Sequence, residues 1–338
     1  MSRTSWTDSS AGVQKAKVEN ASPMHGTLAS SETIQPSWRT ELKPLTKFDA
    51  KVVQKPLQGL LFNIDRELET KVREAQYARD IDAERVGSLF LMMLRFTINS
   101  YETVRFLNTK DDGSHLRKNR FVLAVPPINR QILDLLFTLV YMLDDFEPRS
   151  QAYELSGYRN QREELAKFQK RFGDDPVWAE WLRSRESLCS TLEGYLRISP
   201  EDTSEPQKIK RWPTPSGIIR QQTASKPFLE FLHSWLYDDT SAQAHLTAGG
   251  LFSVGMFVVS DLMPESERRL VEDRAILQYQ FINVSRTFAI VLAIASEINC
   301  FFRLGHREAA QRIWTFLGGY SEESKDLYER RYKGLVGD

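Results

Sequence analysis

The sequence predicts an all-α fold, a multi-helix bundle whose central helices are buried. Apolar residues recur at helical spacing from about residue 51 to about residue 333, and polar residues fill the positions between them. The run most like a β-strand, residues 121–125, is too short to suggest a sheet. Residues 132–143 are apolar nearly all round, which is typical of a helix enclosed by other helices.

Prolines, glycines and capping residues mark where the predicted helices begin and end. Gly173 ends one helix, and Asp174-Asp175-Pro176 then predicts an N-cap followed by proline at the first helical position. Four prolines between residues 200 and 215 predict a loop. The predicted helices cover about residues 57–77, 83–107, 126–145, 149–172, 176–197, 226–236, 241–262, 266–304, 306–317 and 321–333.

Residues 1–45 differ in composition from the rest of the chain. They are rich in Ser, Thr and other small polar residues, and they show no helical period. Such a segment buries too little apolar surface to offset the entropy lost on ordering, so we expect a flexible tail. We expect residues 46–338 to form a single helical domain.

Composition and charge narrow the class of protein. Lys plus Arg and Asp plus Glu each number 45, and this zero net charge argues against a dedicated nucleic-acid binder, which usually carries a basic excess. Two cysteines, Cys189 and Cys300, suggest no disulfide framework and suit a reducing compartment. The sequence shows no signal peptide, and its longest apolar runs, residues 248–260 and 288–295, fall short of the roughly 18 residues that a spanning helix needs. We therefore expect a soluble, cytoplasmic protein without a membrane partner.

Charged residues inside apolar helical stretches are the strongest functional signal, because charges rarely enter a core unless they are paired or functional. Residues three, four, seven or eleven positions apart share one face of a helix, so these charges form polar stripes. If the stripes converge, they enclose a polar site. The stripes are Arg95, Asn99 and Glu102; Arg130, Asp134 and Thr138; Ser241 and His245; and Asn283, Arg286 and Glu297.

Two interpretations of these stripes stay open. Three arginines and three carboxylates balance in charge, as a structural ion-pair network that fixes helix register would require. A protein built in this way would be a non-enzymatic ligand-sensing or protein-interaction module. The other interpretation is a ligand or catalytic site, because titratable groups with perturbed pKa values concentrate at such sites. The sequence does not decide whether the protein is an enzyme.

As an enzyme, the protein would catalyse hydrolysis, with phosphodiesters or RNA as its substrates. His245 would be the general acid or base, and Asp134 would orient it. Arg130 would stabilise developing negative charge, and Ser241 would be the nucleophile or a hydrogen-bond donor. The further residues expected to bind the ligand are Arg95, Asn99, Glu102, Tyr237, Arg286 and Glu297.

Two of these segments resemble the motifs of a known family. Arg130-Gln-Ile-Leu-Asp134, followed about 100 residues later by Tyr237-x3-Ser241-x3-His245, is similar to the pattern of an uncharacterised bacterial helical family, a domain of unknown function, over about residues 85–260. That family more often has Glu where this chain has Asp134. The architecture also resembles HEPN bundles, many of which are ribonucleases. Their motif places His four to six residues after Arg, and none of the five histidines here has that spacing.

The remaining motifs carry less weight. Glu230-x-x-His233 matches half of a di-iron carboxylate pattern, but no second pair exists, and a solvated helix face explains it. The basic segment 208–211 precedes Trp212, which could stack on a base, although a structured loop explains both equally. The sequence has no metal-protease, nucleotide-binding or serine-hydrolase motif, so we expect no metal and no cofactor. The partners left open are a small anionic ligand, RNA, another protein or a second copy of this chain.

Overall fold

The long elements of the protein are all helices. The computed structural model describes residues 50–109, 124–244, 248 and 264–336. No β-strand occurs in these ranges, so the prediction of an all-α multi-helix bundle is confirmed. Within these ranges, the residues whose side chains are not described are 50, 51, 108, 109 and 265–280.

The described helices are numbered α1 to α13 in chain order, and two π-helical turns connect some of them. The π-helical turns are His233–Tyr237 and Tyr328–Tyr332. The helices are α1 (Ala50–Ala78), α2 (Ile81–Thr109), α3 (Val125–Leu143), α4 (Phe146–Phe172), α5 (Ala179–Tyr195), α6 (Pro200–Ser204), α7 (Pro215–Ile218), α8 (Lys226–Leu232), α9 (Asp238–Ala244), α10 (Glu265–Phe302), α11 (Arg307–Tyr320), α12 (Glu322–Leu327) and α13 (Lys333–Val336).

Helices α1 and α2 form an antiparallel hairpin. Arg79 reverses the chain between them with a left-handed backbone, at φ 56°. Hydrogen bonds join Gln58 to Glu102 and Arg95 to Asp65, each at 2.9 Å, and both pairs lie symmetrically about this turn. Apolar side chains at helical spacing fill the contact, because such spacing gathers them on one face of each helix. The buried ones include Leu57, Ile64 and Leu68 of α1 and Phe90 and Leu94 of α2.

The C-terminal half of α10 forms the centre of the core. Every residue from 287 to 299 is buried, and α1, α2, α3 and α11 pack against this helix. Although polar residues interrupt its apolar run, Phe281–Phe302 is the one helix among the described residues that is long and apolar enough, by length and composition alone, to cross a membrane. However, 78% of its most apolar window is buried inside the fold, which is how the central helix of a bundle also behaves.

Helices α4 and α5 form a second hairpin with a smaller apolar cluster of its own. At its tip, the rings of Phe172 and Trp178 stack with centroids 4.5 Å apart. The start of α5 was predicted three residues too early. Asp175 accepts a hydrogen bond from the amide of Val177 (3.0 Å), so the Asp-Asp-Pro segment forms a turn before the helix. The buried residues of the cluster are Tyr158, Leu165, Leu182, Cys189 and Ile209.

The proline-rich segment between α5 and α8 was predicted to be a loop and contains two short helices. Ser199 caps α6 by accepting a hydrogen bond from the amide of Asp202 (3.1 Å). Thr214 caps α7 in the same way through the amide of Gly217 (3.3 Å). Proline is favourable at the first position of a helix, because the amide hydrogen that it lacks would have no partner there.

Trp212 attaches this segment to the bundle. Its indole Nε1 donates to the hydroxyl of Thr138 (3.3 Å), and its ring packs edge-on against Tyr141 and Tyr153 at centroid distances of 5.3 and 5.1 Å. Its backbone amide donates to the hydroxyl of Ser156 (2.7 Å). The ring therefore packs against the bundle, as the structured-loop interpretation of this segment predicts.

All described helices belong to one compact unit. The predicted tail, residues 1–45, lies outside the described residues. The same is true of most of the helix predicted for residues 241–262, of which the structure describes 241–244 and 248.

Candidate functional site

The π-helical turn between α8 and α9 forms the centre of the candidate site. Such turns add one residue to a helical turn and are frequent at functional sites. On the inner side of this segment, Leu236 and Thr240 are buried, which fixes it against the bundle. His233 and Tyr237, four residues apart, stack with ring centroids 4.7 Å apart and planes 17° apart. The turn thus presents an imidazole and a phenol side by side.

Arg130 of α3 contacts this turn. Its guanidinium carbon lies 3.2 Å from the centroid of the Tyr237 ring, and its Nη2 donates a hydrogen bond to the Tyr237 hydroxyl. Asp134, one turn further along α3, lies 3.4 Å from the same nitrogen. A cation is attracted to the face of an aromatic ring, and more strongly where water is excluded. The structure therefore brings three of the predicted site residues into one cluster.

Arg286 of α10 approaches the same segment. Its Nη1 pairs with Asp239 of α9, which follows Tyr237 by two residues. Its Nη2 lies 3.9 Å from Glu323 of α12. Only 13% of the Arg130 side chain and 11% of the Arg286 side chain are exposed, so both cations lie well inside the protein.

A buried amide holds α3 and α10 in register beside these arginines. Nδ2 of Asn129 donates to the backbone carbonyl of Asn283 (3.1 Å), and the Thr287 hydroxyl donates to Oδ1 of Asn129 (2.7 Å). Asn129 precedes Arg130 in sequence, and Thr287 follows Arg286. Because a buried polar group is costly unless it is hydrogen-bonded, this network fixes one relative position of the two helices.

Three buried N–H donors on Arg130, Arg286 and Asn283 have no hydrogen-bond acceptor among the described residues. They are Nη1 of Arg130, Nε of Arg286 and Nδ2 of Asn283. A buried donor left without a partner costs about 1–3 kcal/mol. Such groups are rare in native proteins, and each one calls for an acceptor such as water or a ligand. We refer to Arg130, Tyr237, Arg286 and these donors as the arginine cluster.

Burial and charge act in opposite directions on the phenol of this cluster. Burial raises the pKa of Tyr237, because the phenolate loses hydration. Arg130 lowers the pKa by attracting the phenolate, whereas Asp134 and Asp238 raise it by repulsion. The result is a pKa above the usual value, so Tyr237 is a neutral hydrogen-bonding group at physiological pH.

No protein-family model, curated protein or solved structure matches this chain. The resemblance to the uncharacterised bacterial family, and of the architecture to HEPN bundles, therefore stays a prediction that rests on the residues quoted for it.

The polar stripe of α2 lies apart from the arginine cluster. Arg95, 47% exposed, pairs with Asp65 at 2.9 Å and with Glu69 at 2.7 Å, both on α1. Asn99 is exposed, and Glu102 is partly exposed. These three predicted ligand-binding residues thus belong to a solvent-facing surface of the α1–α2 hairpin, and the structure does not bring this stripe to the arginine cluster.

Glu297 also lies apart from the cluster. It follows Arg286 by eleven residues on α10, which corresponds to about 16 Å along the axis. Its carboxylate accepts from Nε (2.5 Å) and Nη2 (3.1 Å) of Arg331, whose Nη1 donates to Ser225 (2.7 Å). Burial alone would lower the pKa of Arg331, but the hydrogen bond and charge of Glu297 raise it above its usual value. This buried pair joins α10 to the second π-helical turn and explains Glu297 structurally.

The two remaining predicted catalytic residues have different outcomes. Ser241 lies on α9, about one helical turn after Tyr237, and its side chain is partly buried. His245 lies outside the described residues. Of the predicted site, the structure therefore assembles Arg130, Asp134 and Tyr237, with Arg286 paired to the same segment.

Sequence reasoning assigned His233 to a solvated face, and the structure contradicts this. The imidazole packs edge-on against Phe137 at a centroid distance of 6.4 Å and stacks on Tyr237. Its Nε2 lies 3.3 Å from the hydroxyl of Ser216. The four-residue spacing of His233 and Tyr237 is the signal in the sequence that indicates that their rings share one helix face.

Proposed function

We propose that the arginine cluster binds the anionic group of a small ligand, such as a phosphate monoester, and that the protein senses or carries this ligand. The observation that supports the proposal is the set of buried donors on Arg130, Arg286 and Asn283 that lack acceptors among the described residues. A phosphate offers several acceptor oxygens, and arginine presents its N–H groups in a planar fork that matches them. A bound phosphate would supply acceptors for such donors, which otherwise destabilise the fold.

The neighbouring carboxylates control access to the two cations. Asp134 and Asp239 each engage one arginine, but their side chains are far more exposed than the guanidiniums. Charges at the surface are screened by water and salt, whereas buried charges are screened much less. An incoming anion therefore meets guanidiniums that have already lost much of their water, beside carboxylates that are largely exposed to solvent.

A small ligand fits these charges better than a polyanion does. The rim carries Asp134, Asp238 and Asp239, which would repel the successive phosphates of RNA, and the whole chain has no basic excess. We also propose that the protein acts in the cytoplasm, where phosphorylated metabolites are abundant. Its two free thiols, Cys189 and Cys300, suit that compartment.

Ligand-dependent thermal stability tests the proposal. The full chain is heated with inorganic phosphate, pyrophosphate, adenosine monophosphate or a short single-stranded RNA. A ligand at 100 times its Kd stabilises a fold by about 2.7 kcal/mol, which corresponds to a rise in Tm of roughly 4 °C for a chain of this size. We expect one of the small phosphates to produce such a rise and Arg130→Gln or Arg286→Gln to remove it.

The matched control is Arg95→Gln, which removes an equally paired but exposed arginine and should leave the ligand effect intact. If no probe raises the Tm of the parent, or if Arg95→Gln and Arg130→Gln reduce the effect equally, the anion-binding proposal is wrong. If the RNA raises the Tm and none of the small phosphates does, the ligand is a nucleic acid and not a small phosphate.

Hydrolysis of a phosphodiester is a second candidate function. The observation that favours it is the placement of Arg130 and Asp134 beside Tyr237, with Ser241 one turn further along the chain. A charge stabiliser, a carboxylate and a hydroxyl are groups that such a reaction uses. The test is release of p-nitrophenol from bis-p-nitrophenyl phosphate by the parent, by Ser241→Ala and by His245→Ala. Activity that both variants retain would exclude these residues as catalysts.

A further inference from the structure

Ser216, His233 and Asp238 form a chain of polar contacts that the proposed ligand site does not use. The Ser216 hydroxyl lies 3.3 Å from Nε2 of His233, and Nδ1 of His233 lies 3.6 Å from Oδ1 of Asp238. A hydroxyl, an imidazole and a carboxylate in this order are the parts of an activated serine nucleophile. The distances are slightly long, as such contacts often are before a substrate binds.

Separate structural elements hold the hydroxyl of Ser216 and the imidazole of His233 in place. Ser216 lies on α7, which Thr214 caps and which packs against α3. His233 begins the π-helical turn and is held by the rings of Phe137 and Tyr237. Two rings that restrict an imidazole lower the entropy lost when it must point at one hydroxyl, and this is how a general base is positioned for catalysis.

The carboxylate of Asp238 favours a proton on the imidazole nitrogen that faces it. A proton on Nδ1 faces Asp238, so the lone pair on Nε2 faces Ser216. This is the tautomer that accepts a proton from the serine hydroxyl. Asp238 is 67% exposed, so its electrostatic help is weaker than that of a buried carboxylate.

We propose that Ser216 is a nucleophile for acyl transfer from small carboxylic esters, with His233 as its general base and Asp238 as the residue that orients the imidazole. Ser216 Oγ forms a bond to the acyl carbon while its proton passes to Nε2 of His233. The ester C–O bond then breaks, and the alkoxide leaves with that proton. Water then attacks the acyl carbon and gives a proton to Nε2 of His233. The bond between the acyl carbon and Ser216 Oγ breaks, and His233 returns the proton to Oγ, which releases the acid and the free hydroxyl of Ser216.

A fluorophosphonate probe tests the nucleophile in the full-length protein. Attack by an activated serine forms an O–P bond and expels fluoride, so the adduct adds a known mass to one peptide. We expect a single adduct on Ser216 and none in Ser216→Ala. General-base catalysis contributes about 100-fold or more, so His233→Gln should slow labelling by at least that factor. Asp238→Asn should slow it less, because Asp238 acts only by orienting the imidazole.

Ser234→Ala is the matched control. Ser234 is exposed, adjoins His233 and bonds only to the carbonyl of Phe231 (3.1 Å) among the described residues, so its loss should not change labelling. Circular dichroism confirms that each variant is folded. If the parent gives no adduct at Ser216, or if folded His233→Gln is labelled at the parental rate, the proposal is overturned. If His233→Gln does not fold, two other measurements decide. The proposal is overturned if Asp238→Asn is labelled at the parental rate and the labelling rate of the parent does not change between pH 5 and 8.

Hydrolysis of p-nitrophenyl acetate provides a second readout. We expect a burst of p-nitrophenol, stoichiometric with the protein, which Ser216→Ala loses and Ser234→Ala keeps. A burst that survives in Ser216→Ala would assign the reactivity to another residue and contradict the proposal. Because Ser216→Ala leaves Arg130 and Arg286 in place, the thermal shift with phosphate should persist in this variant. The two proposals can thus fail independently.

Discussion

Removal of the charge on Glu297 should destabilise the protein strongly, although this residue has no place in the arginine cluster. Only 3% of the Glu297 side chain and 17% of the Arg331 side chain are exposed. In Glu297→Gln, the amide oxygen still accepts one hydrogen bond, but the buried guanidinium loses its counter-charge. Loss of one partner of a buried ion pair typically costs 3–5 kcal/mol.

The surrounding network places the expected cost at the lower end of this range. Arg331 also donates to Ser225, whose hydroxyl donates to Asp144 (2.6 Å), so one negative charge remains nearby. We therefore expect Glu297→Gln to lower the free energy of unfolding by about 3 kcal/mol. For a chain of this size, that corresponds to a fall in Tm of roughly 4–5 °C.

Urea denaturation monitored by circular dichroism measures this change, with Glu102→Gln as the control. Glu102 is a partly exposed carboxylate that accepts from Gln58 and pairs with Arg105, so its loss should cost less than about 1 kcal/mol. The double variant Glu297→Leu, Arg331→Met should recover most of the stability, because no buried charge is left unpaired. Equal losses in Glu297→Gln and Glu102→Gln would refute the reasoning, as would a double variant no more stable than Glu297→Gln.

Three further predictions concern buried hydroxyls and thiols. Tyr101→Phe should leave the free energy of unfolding unchanged or raise it by up to about 1 kcal/mol, because the buried hydroxyl has no hydrogen-bond partner among the described residues. A fall of more than about 1 kcal/mol in the free energy of unfolding, measured by urea denaturation, would contradict this. Tyr237 should ionise above pH 10, since its folded pKa is raised. Its contribution to stability is thus complete below pH 10 and is lost as the pH rises through the folded pKa, so the difference in absorbance at 295 nm between the parent and Tyr237→Phe should develop only above pH 10. Cys189 and Cys300 should react slowly with a thiol reagent at pH 7.5, because burial raises the pKa of both. Rapid modification of either thiol in the folded protein would contradict this prediction for that residue.

Local periodicity predicted most of the helices, because the spacing of apolar residues is a property of neighbouring positions. Helices α1 to α4 and α10 begin and end within a few residues of the prediction, apart from the longer N-terminal part of α1. The short helices α6 and α7 were missed, because their capping residues lie among prolines that also favour loops. No apolar period is visible over four or five residues.

The side-chain partners could not be predicted in this way. Arg95 follows a long apolar run, yet it faces solvent because the outer face of α2 also carries apolar residues, with Met92 and Phe96 exposed. Arg286 and Glu297 lie on one helix but find partners on different elements, Asp239 and Arg331. Spacing along a helix determines which face a residue occupies, and only the packing of the bundle determines what lies opposite that face.

The extra residue in the turn His233–Tyr237 also sets the direction in which the side chains of α9 face relative to α8. An α-helix advances by about 100° per residue, so the same residues wound as regular α-helix through this turn would rotate α9 by about that angle relative to α8. Asp239 would then face away from Arg286, and Tyr237 would leave Arg130, although every residue of both contacts would still be present. The same sequence wound without the π-helical turn would have the same helices and a different centre.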